Sequence, residues 1–331
     1  MAPLSVLVLA GSAVDDFHAD LSRVYASGFV DAVAGAYRIE IAFVSPDGSW
    51  RFADSFAAVA AAQPLSLSDA IAHLTSADID VMVPQMFCLP GMTTYRSLFD
   101  LLGIPYVGNR PDLMAATADK NTARAIVAAA GVPVPSGVVV PAVGHVDVPL
   151  PVVVKPVDSD NSMGVTLVRD PAELDAAVAD ALTYSDAALV ESYIPLGREV
   201  RCGVIVRDGE LVCLPLEEYA VDEIRRRGDK LNRTDDGDLY LVAKEATKAW
   251  IVAVDDPVTE KVWEAARLAH TALGARHYSL FDFRIDPDGN PWFIEAGLYC
   301  SYAPTSVVAV MASAAGIPVD RLFAISLKEL L

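Results

Sequence analysis

The stretch Ser279–Gly297, SLFDFRIDPDGNPWFIEAG, decides how the chain is read. Two apolar and aromatic runs flank Asp288-Gly289. An Asp-Gly between alternating hydrophobic residues is a strong hairpin signal, because both central residues of a type I′ turn need positive φ. If Asp288-Gly289 is that two-residue loop, Asp286 faces Pro291, Arg284 faces Phe293 and Asp282 faces Glu295. Phe281, Phe283, Ile285, Trp292, Ile294 and Ala296 then share the other face, an apolar set suited to a core.

This register sets two carboxylates opposite each other, which destabilises a sheet unless something intervenes. Mg²⁺ reverses the sign, since it takes one or two carboxylates together with substrate phosphates. Two acids pointing into solvent would also satisfy the pattern. The hairpin alone leaves both readings open.

Working outward, 331 residues suffice for two or three compact domains with a sizeable core. The chain is 53% hydrophobic, yet no uninterrupted apolar run reaches the length of a membrane span. The opening MAPLSVLVLAGS lacks a basic n-region and reads as a first buried strand rather than a signal peptide. Cys88, Cys202, Cys213 and Cys300 have no metal-ligand spacing and read as free thiols in a reducing cytoplasm. A formal net charge of −19 argues against nucleic acid or an anionic membrane as partner. An anionic ligand would need basic residues gathered at its site. Arg225, Arg226, Arg227, Lys230 and Arg233 form the densest such cluster.

Along the chain, residues 4–10, 38–44 and 79–84 read as strands. Helices are expected over 21–34, over 69–74 behind Ser66 or Ser68 as cap, and over 98–102, closed by Gly103. Residues 53–63 fit helix or loop. Strand alternating with helix predicts a parallel sheet covered on both faces, in an α/β domain over about 1–111. Residues 117–130 predict one helix stopped by Gly131. Val152–Pro156 and VTLV predict strands about the loop VDSDNSMG, in a small α+β domain over 112–190. A strand at 187–194 leads across the boundary into the remainder, 191–331, which holds strands at 199–206 and 211–216, a helix over 259–273, the hairpin, and a closing helix near 305–315. Residues 222–238 have little periodicity and read as a loop able to close as a lid. GxxxxGK[ST], GxGxxG, GxSxG and HExxH are all missing.

Lys155 ends a strand ahead of Ser159, Ser162 and Gly164. Such a loop can bring backbone N–H groups to phosphate oxygens while the lysine supplies charge. A surface hairpin with an incidental lysine fits equally. Lys120 near a helix start is a further phosphate candidate. Glu191 and Glu199 flank a Pro-Leu-Gly linker, where acids can accept hydrogen bonds from a base or ribose.

Taken in order, Lys120, Lys155-Pro156 with Ser162-x-Gly164, Glu191…Glu199 and Asp282…Glu295 resemble an ATP-grasp ligase. They resemble most the D-alanine–D-alanine ligases, over nearly the whole chain and including LLGIPYVG and AAGVPVP. The resemblance implies a three-domain α/β and α+β fold with ATP between the central and C-terminal domains. It implies that Lys120 and Lys155 meet ATP phosphates and that the loop of Ser162 closes over them. Glu191 and the backbone of Ser192 and Ile194 would meet adenine, and Glu199 ribose. Lys230 would lie over the triphosphate, and Asp282 and Glu295 would hold Mg²⁺. Ser306 would bind substrate, and either Asp15 or Asp16 would hold a substrate amine. The resemblance also implies small-molecule substrates and allows a homodimer.

The departures lie at the substrate end. Leu280 stands where the family carries an oxyanion-stabilising Arg, Gly297 where it carries an Asn metal ligand, and QMFCLPGMTT where it carries His-Gly and Glu-Asp-Gly. GSAVDDF, PQMFCLPGMT, LGREVRCG and EAGLYCSYAP resemble the D-alanine-ligase-like enzymes of mycosporine-like amino acid synthesis. That implies ATP-dependent joining of serine or threonine to mycosporine-glycine as an imine, by phosphorylation of a ring carbonyl oxygen. Arg284, on the face of Asp282 and two residues along the strand, is then the candidate substitute cation, or else it forms a salt bridge to a neighbouring acid. The alternatives are a D-alanine–D-alanine or other dipeptide ligase, and a nucleotide-binding protein without catalysis.

Overall fold

The computed structural model describes residues 3–159, 162–224, 232–233, 239–240 and 248–330. The chain opens with β1 (Ser5–Gly11), α1 (Asp16–Ala32), β2 (Arg38–Val44), β3 (Trp50–Ala53), α2 (Leu67–Ser76) and β4 (Val81–Pro84). β1 pairs in parallel with β2 and β4, and β3 adds an antiparallel edge to β2. Residues Val6 to Ala10 of β1 are fully buried, as a strand covered on both faces requires. α1 begins five residues earlier than its apolar pattern suggests. Asp15 caps it, accepting from the His18 N–H, and such a cap sets a helix start more firmly than periodicity does. Residues 53–63 hold only a single 3₁₀ turn.

After α3 (Leu89–Met92) and α4 (Thr94–Leu102), helical structure begins before the expected 117–130 and is divided between α5 (Pro111–Ala118), which the sequence reading lacks, and α6 (Lys120–Ala129). Asp119 breaks it, in extended conformation, with its carboxylate accepting from the Thr122 N–H at 2.6 Å. The break makes Lys120 the first helical residue of α6 and turns it toward the cleft.

The second sheet contains β5 (Gly137–Val140), β6 (Val152–Pro156), β7 (Thr166–Val168) and, after α7 (Pro171–Ala181), β8 (Ala188–Ser192). Its order is β5-β8-β6-β7, antiparallel throughout. The third and largest sheet begins with β9 (Arg198–Arg207), β10 (Glu210–Cys213) and β11 (Glu217–Tyr219). A two-stranded ribbon pairs β12 (Asn232–Arg233), inside the stretch 222–238 expected to be a loop, with β13 (Leu239–Tyr240) just beyond it. β14 (Ala249–Ile251), α8 (Thr259–Leu273), β15 (Tyr278–Ile285), β16 (Pro291–Gly297), α9 (Val307–Ala314) and α10 (Val319–Leu330) complete the chain. The order is β14-β11-β9-β15-β16, with β10 beside β9.

The hairpin corrects the expected turn. Asp286 N–H donates to Asn290 O and Gly289 N–H to Asp286 O, so the loop is Pro287-Asp288-Gly289, with the positive φ at Gly289 alone. Bonds from the Asn290 backbone and the Trp292 indole hold the Asp286 carboxyl down at about 2. Ile285 therefore faces Pro291, and Phe283 faces Phe293. A bulge at Ile294 restores the predicted opposition of Asp282 and Glu295. In consequence Phe293, rather than Trp292 and Ile294, joins Phe281 and Phe283 in the core.

The Phe281–Phe283–Ile285 face of this sheet packs on α6 and α8. The opposite face divides in two. Ile205, Tyr278 and Leu280 lie in a core shared with α9, α10 and the first sheet. Beyond Leu280 the apolar cover stops, and charged residues take over.

Candidate active site

A pocket lies between the second and third sheets, enclosing about 860 Å³ of space that is partly open to solvent. Lys155, Ser162, Glu191, Ser192 and Ile194 line it from one side, and Glu199, Asp282, Arg284 and Glu295 from the other. Lys120 joins them from α6. Every candidate nucleotide or metal residue within the described part of the chain thus lines one pocket. Lys230 lies outside the described residues, as do Arg225–Arg227 and most of the expected lid.

Lys155 Nζ sits 2.6 Å from Glu191 Oε1, with both side chains nearly sealed from solvent. Lys120 Nζ donates to Ser159 O and lies 3.7 Å from Glu295 Oε1. Ser162 and Gly164 both have positive φ, which folds the loop after β6 back on itself. A Cβ on Gly164 would meet Tyr184 at 2.7 Å and Pro156 at 3.0 Å, so only glycine fits there. Ser192 N–H is taken by Ser136 O, and Ile194 O accepts from Arg284 Nη1 at 3.1 Å.

Arg284 does not reach toward Asp282 or Glu295. Its Nε lies 2.9 Å from Glu199 Oε1, its Nη2 reaches the same oxygen and Glu223 O, and its guanidinium lies 5.2 Å from the Tyr193 ring. β9 pairs Glu199 with Arg284 across the strands, so the register that opposes them also neutralises them. Of the two expectations for Arg284, the contacts present are those of the salt bridge to a neighbouring acid, not of a substitute oxyanion contact. Arg284 orients Glu199 instead.

Asp282 accepts from Arg201 Nε at 3.2 Å and from the Tyr219 hydroxyl at 3.4 Å. Burial opposes the charge of Arg201, but Asp282, Tyr219 and Glu217 outweigh it and hold the guanidinium firmly protonated. Arg201 escaped the sequence reading because its partner Asp282 is 81 residues away and only strand register joins them.

A second pocket adjoins the first and shares Ser159 and Glu295 with it. Phe87, Met92, Met114 and Tyr299 supply apolar walls, and His18 a polar one. His18 Nδ1 lies 2.8 Å from Asp15 Oδ1. Burial would raise the Asp15 carboxyl, but the His18 backbone and imidazole hold it below the usual range. Asp16 is exposed in the first turn of α1. Ser306 occupies the N-cap position of α9 without a side-chain capping bond and is buried, its Oγ having no hydrogen-bond partner among the described residues.

The donor set fits a magnesium nucleotide. Two lysines from different elements converge on a glycine-bearing loop, and opposed carboxylates supply hard oxygen ligands. Among the described residues no group of three or more His, Cys, Asp and Glu gathers as a closed metal site. A cation held by two carboxylates and completed by phosphates is the arrangement that remains. Four free cysteines are present, three of them buried. No single described helix is long and apolar enough to cross a membrane.

This fold and pocket define an ATP-grasp ligase. Comparison with known proteins supplies the family. A family profile described as D-ala D-ala ligase C-terminus matches residues 141–327. A D-alanine–D-alanine ligase of Mycolicibacterium smegmatis is 33% identical over 272 residues, 79% of this chain and 71% of that protein. Another, of Gloeobacter violaceus, is 32% identical over 235 residues, 69% of this chain and 74% of that protein. Among solved structures, the D-alanine–D-alanine ligase of Coxiella burnetii superposes with a TM-score of 0.79 at 19% identity, covering 100% of this chain and 94% of that one. The VanG D-Ala:D-Ser ligase of Enterococcus faecalis gives 0.78 at 21% identity, covering 99% and 100%. The Bacillus anthracis enzyme complexed with ATP gives 0.74 at 19% identity, covering 98% and 97%. The chain belongs to the D-alanine–D-alanine ligase family. It is an ADP-forming carbon–nitrogen ligase that uses ATP and Mg²⁺.

Proposed function

We propose that the enzyme phosphorylates an oxygen of one small substrate and joins the activated carbon to the amine of an amino acid. The observation that carries this is the convergence of Lys120, Lys155, Asp282 and Glu295 on one pocket that opens beside a second. In this reading Lys120 and Lys155 hold the phosphates, and the loop of Ser162 closes on them. Glu199, fixed by Arg284, receives the ribose hydroxyls, while Glu191, Ser192 and Ile194 frame the base. Asp282 and Glu295 hold Mg²⁺, which when bound neutralises charge on the transferring phosphoryl group. Lys230 is proposed to cover the triphosphate.

Asp15 and Ser306 line neither pocket, but Asp15 holds His18, which lines the second and would orient a substrate amine there. Ser306 and the N-terminus of α9 would take a carboxylate, since that Oγ has no hydrogen-bond partner among the described residues and helix N–H groups favour anions. We place the enzyme in the cytoplasm, as a possible homodimer acting on small molecules.

The names of the relatives support a dipeptide ligase of the D-alanine–D-alanine type. A particular observation favours a different acceptor. Leu280 and Gly297 face each other across the hairpin, and Leu280 packs into the apolar core rather than offering a cation. An acyl-phosphate route then lacks the contact expected of that position. Our finer proposal is therefore mycosporine-glycine as acceptor and serine or threonine as amine donor, giving an imine. The test supplies ATP and Mg²⁺ with either D-alanine alone or mycosporine-glycine plus serine. Serine-dependent ADP release with red-shifted ultraviolet absorbance supports the imine. Rapid D-alanyl-D-alanine formation without it restores the dipeptide reading.

A further inference from the structure

Four charged residues cross the cleft face of the largest sheet in a single row. Glu217 on β11 pairs with Arg201 on β9, Arg201 with Asp282 on β15, and Asp282 with Glu295 on β16. Register partners present their side chains to the same face within about 5 Å. Arg201 Nε lies 3.2 Å from Asp282 Oδ1 and Nη1 lies 3.4 Å from Glu217 Oε2. Its guanidinium stacks 4.9 Å from the centre of the Tyr219 ring. Only 9% of the residue is exposed. These contacts fix the plane of the fork and engage Nε and Nη1. No described residue accepts a hydrogen bond from Nη2.

The remaining cations of the described cleft are committed elsewhere. Lys155 is sealed against Glu191, Lys120 sits between Ser159 and Glu295, and Arg284 is held by Glu199. Leu280, the next residue toward the core on this face, is apolar. Arg201 lines neither pocket itself but lies directly behind residues that do. Its row partner Asp282 lines the first, and Tyr299, close enough to act on its charge, lines the second.

We propose that Arg201 is a catalytic residue, whose Nη2 donates to the substrate oxygen as that oxygen is phosphorylated and again as it leaves. The inference rests on the ligase reading above and holds for either acceptor. The acceptor oxygen attacks the γ-phosphorus, the bond from that phosphorus to the β–γ bridging oxygen breaks, and ADP departs. The amine nitrogen then bonds to the acceptor carbon and gives up a proton. The carbon–oxygen bond breaks, and phosphate leaves carrying that oxygen. Negative charge collects on the same oxygen region in both halves. A donor fixed in advance by two carboxylates needs no reorganisation at either moment.

The test compares wild type with Arg201→Gln and Arg201→Lys. Three quantities are measured: melting midpoint, affinity for ADP–Mg²⁺ with and without aluminium fluoride in the presence of acceptor, and kcat with KM for each substrate. Aluminium fluoride mimics the phosphoryl group in flight. Arg201→Gln is expected to bind ADP within about threefold of wild type. It should lose most of the added affinity for the fluoride complex, and about 100-fold or more in kcat with KM little changed. Arg201→Lys keeps the charge, and so the fold, if the Gln variant proves unstable. The three donors of an ammonium radiate from one flexible nitrogen and lack the rigid fork that holds both carboxylates and aims a further N–H, so at least about tenfold in kcat is expected to go with melting unchanged. Wild-type affinity for the fluoride complex in both variants, or kcat within about threefold in both, overturns the proposal. Wild-type enzyme that releases no ADP with any acceptor and amine would instead overturn the ligase reading.

Discussion

Glu191→Gln removes one charge from the most enclosed ion pair of the nucleotide pocket. Lys155 Nζ and Glu191 Oε1 are 2.6 Å apart, with side chains 7% and 6% exposed. The pair itself adds little net stability, because desolvating both ions nearly offsets their attraction. Taking away one partner is different, since it strands a buried ammonium and costs about 3–5 kcal/mol. Each kcal/mol moves the melting midpoint by about 2–4 °C in a domain of moderate size, so the variant should melt roughly 10 °C lower. Lys155→Met in the same chain removes the stranded charge, and the double variant should recover most of the loss. Thermal melts of wild type, both single variants and the double variant, without nucleotide, form the cycle. A Glu191→Gln protein melting within about 2 °C of wild type would refute the reasoning. A double variant no more stable than Glu191→Gln would do so as well.

Asp282→Asn should lower turnover about 100-fold or more with the fold retained, because Glu217 still faces Arg201; unchanged kcat would remove Asp282 from the metal set. Asp119→Ala deletes the cap at Thr122 and should cost about 1 kcal/mol while loosening Lys120 at the start of α6, read as a raised KM for ATP. His270 and His277 are each pushed down to about 4 by burial, and His277 Nδ1 accepts from the Gly108 N–H, which requires the neutral ring. Their folded values lie below the unfolded one, so the unfolded chain takes up protons first as pH falls. Stability should be full above about pH 7 and decline by about 2 kcal/mol per histidine by pH 5. A denaturation midpoint that is flat between pH 7.5 and 5 would contradict this.

Much of the pocket was legible in the sequence because its residues sit at strand ends and hairpins, where local pattern reports position. The hairpin shows how far such reading reaches. Asp282 and Glu295 do face each other, but through a three-residue loop and a bulge whose shifts cancel. Alternation in sequence alone could not separate that from a tighter turn. The break at Asp119 was hidden because the flanking residues all favour helix, and one carboxylate on one backbone N–H decides the matter. Arg201 and Arg284 show the other limit. Both lie in strands at ordinary spacing, and their roles follow from β9 lying against β15, a pairing between segments some 80 residues apart that no local signal encodes. The same pairing gives Arg284 to Glu199 and leaves Arg201 beside Asp282.

In the proposed reaction the substrate oxygen itself takes the phosphoryl group. The most direct measurement uses acceptor labelled with ¹⁸O at that oxygen, with ATP, Mg²⁺ and the amine, and determines the isotope content of the phosphate released. Phosphate carrying one ¹⁸O for each product molecule formed is the result predicted here. Phosphate that draws its fourth oxygen from solvent while product accumulates would contradict it.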